Sequence, residues 1–174
     1  MNMHVDYLPD ECVDDALDGA LRALFVACFT NPADAAVFGE RRYWIEPCRH
    51  RWIIRDPGGQ VVAHAGVHDR HIETDEQGYA VGGIAEVCVH PTHRGRGFVK
   101  AMLSPVHEAL AARRVPFALL FGNPKVYASS GYFPVSNLYL VDRDGNRRQR
   151  DAMAKVLLDT PGPSGQVRLP EPEF

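Results

Sequence analysis

Two long extended stretches joined by a four-residue turn occupy the middle of the chain, and they constrain its fold more than any other feature. Residues 61 to 73 set Val61, Ala63, Ala65 and Val67 on one face and Val62, His64, Gly66 and His68 on the other, the two-residue period of a strand. Asp75-Glu76-Gln77-Gly78 reads as a turn, and a third strand is expected from Tyr79 to Val89. Upstream, Trp52-Ile53-Ile54 closes at Asp56-Pro57-Gly58-Gly59, where Pro sets φ and Gly admits positive φ. Three consecutive strands with tight turns make an antiparallel meander, not a βαβ unit, because a parallel crossover needs a dozen or more intervening residues.

Helical spacing flanks the meander. Val13, Leu17, Leu21, Leu24, Phe25 and Phe29 recur every three or four residues and predict a helix over 10–29; Asn31 and Pro32 suit the cap and first position of a second, running to Arg41. Phe98, Met102, Val106, Ala109 and Leu110 predict another, with a kink expected near 101–105 because Pro105 removes a hydrogen bond. Phe117 to Phe121 is the unbroken apolar run of a central strand; Pro124 to Ser130 is a short helix stopped by Gly131. Tyr132–Leu140 reads as interrupted extended chain, Asp142–Arg150 as a charged hairpin, and Ala152–Leu158 as a last strand. The whole reads as a mixed α/β chain, a single domain over 1–160 with 161–174 as a C-terminal loop or tail.

Composition narrows the function. With 45% hydrophobic and 24% charged residues the chain can build a core. Nineteen Lys and Arg against 22 Asp and Glu give a net charge of −3, so no overall positive field is available for nucleic acid or an anionic membrane surface. The longest apolar run, Ala23–Phe29, is seven residues, against the roughly 18 that span a bilayer. Asp6, Asp10, Glu11, Asp14, Asp15 and Asp18 with no early Lys or Arg oppose a secretory or transit signal, so a cytoplasmic protein is expected. Cys12, Cys28, Cys48 and Cys88 form no C-x-x-C pair, which points to reduced, mostly buried thiols and no metal.

The chemistry concentrates at residues 84–100. The strand Ile84-Ala85-Glu86-Val87-Cys88-Val89 runs through His90-Pro91-Thr92-His93 into Arg94-Gly95-Arg96-Gly97-Phe98-Val99-Lys100, where a helix begins. Glycines let backbone amides converge on an anion, and the helix N-terminus adds about half a positive charge. From His90 to Lys100 there are three formal cations and no acid, in a chain that is acidic overall, so a di- or triphosphate-bearing ligand suits this loop. A P-loop is absent, and a dinucleotide-binding turn would need glycine where Lys100 stands.

These residues resemble the GCN5-related N-acetyltransferase (GNAT) family, whose [QR]-x-x-G-x-[GA] signature is met by Arg94-Gly95-Arg96-Gly97-Phe98 and departed from at Val99. Leu119-Leu120-Phe121-Gly122-Asn123-Pro124, Tyr127 and Gly131-Tyr132-Phe133 resemble a second family segment. The resemblance implies a mostly antiparallel sheet whose middle strands, 79–89 and 117–121, splay and are flanked by helices. It implies acetyl-CoA as co-substrate, its pantetheine arm pairing with the backbone of Val87, Cys88 and Val89 and its pyrophosphate meeting Arg94 to Lys100. By position, Asn123 and Tyr127 approach the pantetheine and the sulfur.

Acyl transfer to an amine needs a neutral amine, an oxyanion donor and a proton for the leaving thiolate. Glu86, alone among apolar strand residues, is a candidate base with a raised pKa, or a carboxylate paired with a neighbouring Arg. Tyr127 is the candidate acid, with the amide of Cys88 or Val89 as oxyanion donor. His64 and His68 lie about 13 Å apart on a strand, too far to share an ion; pocket lining or surface fits them, and His64 is a second candidate base. His90 and His93 read as polar loop residues, Trp44 and Trp52 as core or pocket wall. The expected activity is acetyl transfer to a primary amine of a small molecule or peptide; the alternative is a non-catalytic acyl-CoA sensor. Residues 30–50 and 70–80 are expected to shape the acceptor site, and a homodimer through C-terminal strands is compatible with the pattern.

Overall fold

A computed structural model describes residues 4–174. In chain order the elements are β1 (Val5–Pro9), α1 (Asp15–Cys28), α2 (Pro32–Glu40), β2 (His50–Arg55), β3 (Val61–Glu73), β4 (Gly78–Val89) and α3 (Phe98–Ala112). They continue with β5 (Phe117–Leu120), α4 (Pro124–Tyr127), β6 (Phe133–Val135), β7 (Leu138–Val141), β8 (Arg147–Gln149), β9 (Ala152–Val156) and β10 (Val167–Pro170). The chain forms two compact units: residues up to His68 with Ala85–Val106, and Asp69–Ile84 with His107–Phe174. β3, β4 and α3 each contribute one part to each unit.

In the first unit β2 pairs antiparallel with β1 on one side, Val5 opposite Ile54, and with β3 on the other, His50 opposite Val67. β1 was not foreseen, since Val5 to Pro9 is too short to show a period. The apolar stripe of α1 closes over this layer: Leu17, Leu21, Leu24 and Phe25 pack with Phe38, Ile53, Val61 and Cys88. α1 begins at Asp15, because Asp14 caps it by accepting the Leu17 N–H at 2.8 Å; residues 10–12, expected inside the helix, form a separate tight turn. Asn31 caps α2 ahead of Pro32, as the sequence indicates. A second cluster joins Ile54, Val62, Ala63, Ala65, Val89 and Met102, with Val87, Phe98 and Val99 packed against it. Both faces of β3 are therefore buried from Val61 to His68, and neither His64 nor His68 is a surface residue.

The second unit joins the rest of β4 in parallel to β5, Val81 opposite Phe117 and Ile84 opposite Leu120. β9 pairs antiparallel with β5 and with β6. The segment expected as loop or tail departs from that reading: β10 pairs in parallel with β7, Val167 opposite Leu138, and buries Val167 and Leu169 with Ile72, Phe117, Leu119 and Leu140. Within β10 only Val167 and Leu169 are apolar apart from Pro170, too few for a sequence period to show. α3 runs unbroken through Pro105. At Gly82 an added Cβ would meet Leu110 Cδ1 at 2.5 Å, so α3 lies against bare backbone there.

Candidate active site

Glu86 stands in mid-strand with φ 49, a left-handed conformation that costs a side-chain-bearing residue about 1–2 kcal/mol. The ladder between β4 and β5 ends at Ile84, two residues before it. The Glu86 side chain is 6% exposed. Its Oε1 accepts the Trp44 N–H at 3.0 Å, whereas its buried Oε2 has no hydrogen-bond partner. Burial pushes this carboxyl up to about 7, against the opposing pull of Arg51 and the Trp44 amide.

The nearest cation is Arg51, fully buried on β2, with Nη1 3.8 Å from Oε2. That is beyond hydrogen-bonding reach. Arg51 spends its donors elsewhere: Nε on Asp10 Oδ1 at 2.6 Å, Nη1 on His64 Nε2 at 2.9 Å and Nη2 on the Arg42 carbonyl at 3.3 Å. Arg42 also grips Asp10, at 2.7 Å, and reaches Asp18 at 3.0 Å. Burial raises the Asp10 carboxyl, but the hydrogen bonds from Arg42 and Arg51 outweigh it and hold Asp10 below its usual value. His64 Nδ1 donates to the Glu86 carbonyl at 2.8 Å. With Nε2 accepting from Arg51, neither ring nitrogen of His64 is left to take a proton from an acceptor. Burial and then the Arg51 charge push His64 down to about 3. These contacts argue against His64 as base, and they leave Glu86 in a loose ion pair with Arg51 at 3.8 Å that no hydrogen bond completes.

Cys48, His64 and Glu86 bring ligand-type atoms within 4.8 Å of one another. The set does not suit a cation, because the Arg51 guanidinium already serves this cluster and burial holds the Cys48 thiol up to about 12. Of this network only Glu86 and His64 stood out in the sequence. Arg51 carries no signal of its own in the sequence, with Arg49 and Arg55 close by, because its partners come from the β2–β3 register and from residues near the N-terminus.

Downstream of Glu86, Val87 to Val89 lead into the loop. His90 Nδ1 and Thr92 Oγ1 bond at 2.8 Å, and Thr92 Oγ1 reaches His93 Nδ1 at 2.9 Å, so the two histidines brace the turn. Arg94 Nε donates to the Val89 carbonyl at 3.2 Å and Arg96 Nη2 to Thr92 at 3.3 Å. Gly95 and Gly97 take φ 74 and 77, and a Cβ at either would meet nothing within 4 Å. The positive φ values, not crowding, call for glycine there. α3 starts at Phe98 with its first-turn amides unpaired by the helix, beside exposed Lys100. Val99 packs on the core of its unit. The Cys88 thiol is buried and pushed well above its usual value by burial, so its side chain is inert.

In the second unit, Asn123 caps α4 by accepting the Lys125 N–H at 3.0 Å. Tyr127 is half-buried; its ring lies 6.1 Å from that of Tyr132 and covers Gly122, where a Cβ would meet Tyr127 Cε2 at 2.5 Å. Tyr132 bonds His107 at 2.9 Å, and burial raises the Tyr132 phenol and lowers His107 to about 4.

The sequence model of the family described as "Acetyltransferase (GNAT) domain" matches residues 12–135. The chain belongs to the GNAT acetyltransferase family. The match takes in α1, the meander, the Gly95–Gly97 loop, Tyr127 and β6. The chain is similar to the N-acetyltransferase Eis of Mycobacterium tuberculosis (strain ATCC 25177 / H37Ra), 34% identical over 107 residues that make up 58% of this chain and 27% of that protein. It thus spans well under half the length of this curated relative. Among solved structures, the GNAT N-acetyltransferase YhbS of Escherichia coli in complex with CoA shares the fold with a TM-score of 0.67 at 17% identity, over 96% of this chain and 89% of that one. A GNAT acetyltransferase of Brucella melitensis in complex with acetyl-CoA gives a TM-score of 0.61 at 14% identity, over 94% of each chain. No helix among the described residues is long and apolar enough to cross a membrane.

Proposed function

We propose that this GNAT chain transfers the acetyl group of acetyl-CoA to a primary amine of a small molecule or peptide, by direct attack within a ternary complex. The observation that carries the reading is the buried Glu86 carboxyl, raised to about 7 with one oxygen lacking a hydrogen-bond partner, three residues ahead of Val89 on the strand that leads to the Gly95–Gly97 loop. A base with this pKa is half ionised at working pH and strong enough to take a proton from an ammonium as it binds.

In this mechanism the pantetheine runs along the backbone of Val87, Cys88 and Val89, and the pyrophosphate sits on the amides of Gly95 to Lys100 with Arg94, Arg96 and Lys100 supplying charge. Glu86 removes one proton from the acceptor ammonium, directly or through water. The neutral nitrogen attacks the thioester carbonyl, and the Cys88 or Val89 amide donates to the oxyanion. The tetrahedral intermediate then collapses: the C–S bond breaks as the carbonyl re-forms, and Tyr127 gives its phenolic proton to the thiolate. The second proton, shed by the acylated nitrogen, returns to the Tyr127 phenolate, directly or through water. Asn123 assists in holding the pantetheine.

The test is free-thiol release from acetyl-CoA with a panel of diamines, amino acids and lysine-containing peptides. Tyr127→Phe and Glu86→Gln are each expected to lower turnover at least tenfold while coenzyme A affinity, measured by calorimetry, stays within twofold. Tight coenzyme A binding without thiol release for any amine would instead make the chain an acyl-CoA sensor.

A further inference from the structure

The bonds of His64 are set by what its neighbours can do. A backbone carbonyl only accepts, so Nδ1 carries the hydrogen toward Glu86; a guanidinium only donates, so Nε2 is bare toward Arg51. A protonated ring would set an N–H against the Arg51 N–H, so the imidazole stays neutral, as its burial also dictates. We propose that His64 is a positioning residue for Glu86: its Nδ1–H pins the Glu86 carbonyl, and its Nε2 keeps the Arg51 guanidinium from closing onto the Glu86 carboxyl.

The first half follows from the backbone. Glu86 holds a left-handed conformation in mid-strand, and its carbonyl is tied at 2.8 Å to a side chain that is itself fully buried. The second half follows from the donors. Arg51 has Asp10, His64 and the Arg42 carbonyl as partners and stops 3.8 Å short of Glu86 Oε2. The groups acting on the Glu86 carboxyl are Arg51, the Trp44 amide, Asp10 and Arg42, with the Cys48 thiol in the same cluster. Removing the acceptor on Nη1 turns it toward Glu86 Oε2, the oxygen of that carboxyl without a hydrogen-bond partner. Glu86 then becomes a salt-bridged carboxylate and a weaker base. The role in the reaction rests on the reading of Glu86 as base, but the placement of His64 can be tested without an acceptor.

The experiment is NMR titration of the protein carrying carboxyl-labelled glutamate, with the Glu86 signal assigned by its loss in Glu86→Gln. His64→Gln extends a carbonyl toward the position of Nε2 and should hold the Glu86 midpoint. His64→Asn, which reaches only as far as Nδ1, and His64→Leu should each move the midpoint at least one pH unit toward acid, a tenfold loss of proton affinity. Nitrogen-15 histidine spectra should show His64 as the neutral Nδ1–H tautomer from pH 5 to 8. A His64 that protonates above pH 6, or that carries its hydrogen on Nε2, overturns the proposal. So do Asn and Leu variants with an unmoved Glu86 midpoint. If the Leu variant does not fold, the Asn and Gln pair, alike in polarity, carries the comparison. Full turnover in Glu86→Gln would remove Glu86 as base and leave the titration result standing, so the two failures are distinguishable.

Discussion

Replacing Glu86 by Gln should change how stability depends on pH, in a way fixed by two buried groups that act in opposite directions. In the folded chain the Glu86 carboxyl titrates at about 7, against 4.5 for an unhindered glutamate. Because the folded value is the higher one, the stabilisation is complete below pH 4.5 and disappears as pH rises through 7. At about 1.4 kcal/mol per pH unit, the span is on the order of 3 kcal/mol. His64 runs the other way: its folded value of about 3 lies under the ordinary 6.5, so its contribution is complete above 6.5 and is lost as pH falls toward 3. Half-buried His107, lowered to about 4, adds a smaller slope of the same sign as His64. Between pH 4.5 and 6.5 the Glu86 and His64 slopes oppose each other, and the wild-type curve conceals both. Subtracting the wild-type curve from the Gln curve cancels every group but Glu86. Urea unfolding at half-unit pH steps and constant ionic strength is the assay, with unchanged m-values as the control. The Gln variant should gain on the wild type by about 3 kcal/mol between pH 4.5 and 8. Parallel curves would falsify the claim that burial outweighs the pull of Arg51 and raises the Glu86 carboxyl.

Two further outcomes follow from the backbone. Gly82→Ala drives a methyl into Leu110, which is 1% exposed, and should cost about 1–3 kcal/mol in urea unfolding, lowering Tm by several degrees; a Tm equal to wild type would mean that α3 can shift away without cost. Gly97→Ala meets no neighbouring atom, so its effect is confined to a positive φ of 77. Coenzyme A affinity should fall about tenfold as the loop turns its amides away, with a smaller loss of Tm than for Gly82→Ala; retained affinity would show that the side chains of Arg94, Arg96 and Lys100 hold the anion without the backbone.

Local order was legible from residues close in sequence. The β3 alternation predicts Val61–Glu73, the bounds observed, and the Asn31-Pro32 cap and Gly131 stop stand where their chemistry requires, with Gly131 at φ 86. Glu86 was visible as one charge among apolar strand residues, and the Arg-Gly-Arg-Gly run as a tight glycine turn into a helix, because both are statements about neighbours along the chain. β10 was not visible: a pair of apolar residues among prolines becomes a strand only when β7 supplies a ladder and Leu169 a place in the core. Arg51 likewise looks like an ordinary surface charge until β2 docks on β3, after which Asp10 and His64 consume its donors.

The order of amino acids thus determined most of the elements, the family signature and which carboxyl would be difficult to ionise, since period, turn chemistry and local polarity act over a few residues. Only the tertiary structure decided that Glu86 is the group left without a full partner and that His64 is locked neutral. Those outcomes depend on which donors lie within about 3 Å of which acceptors, and such distances arise between residues 13, 22 and 41 positions apart only once the strands have found their register.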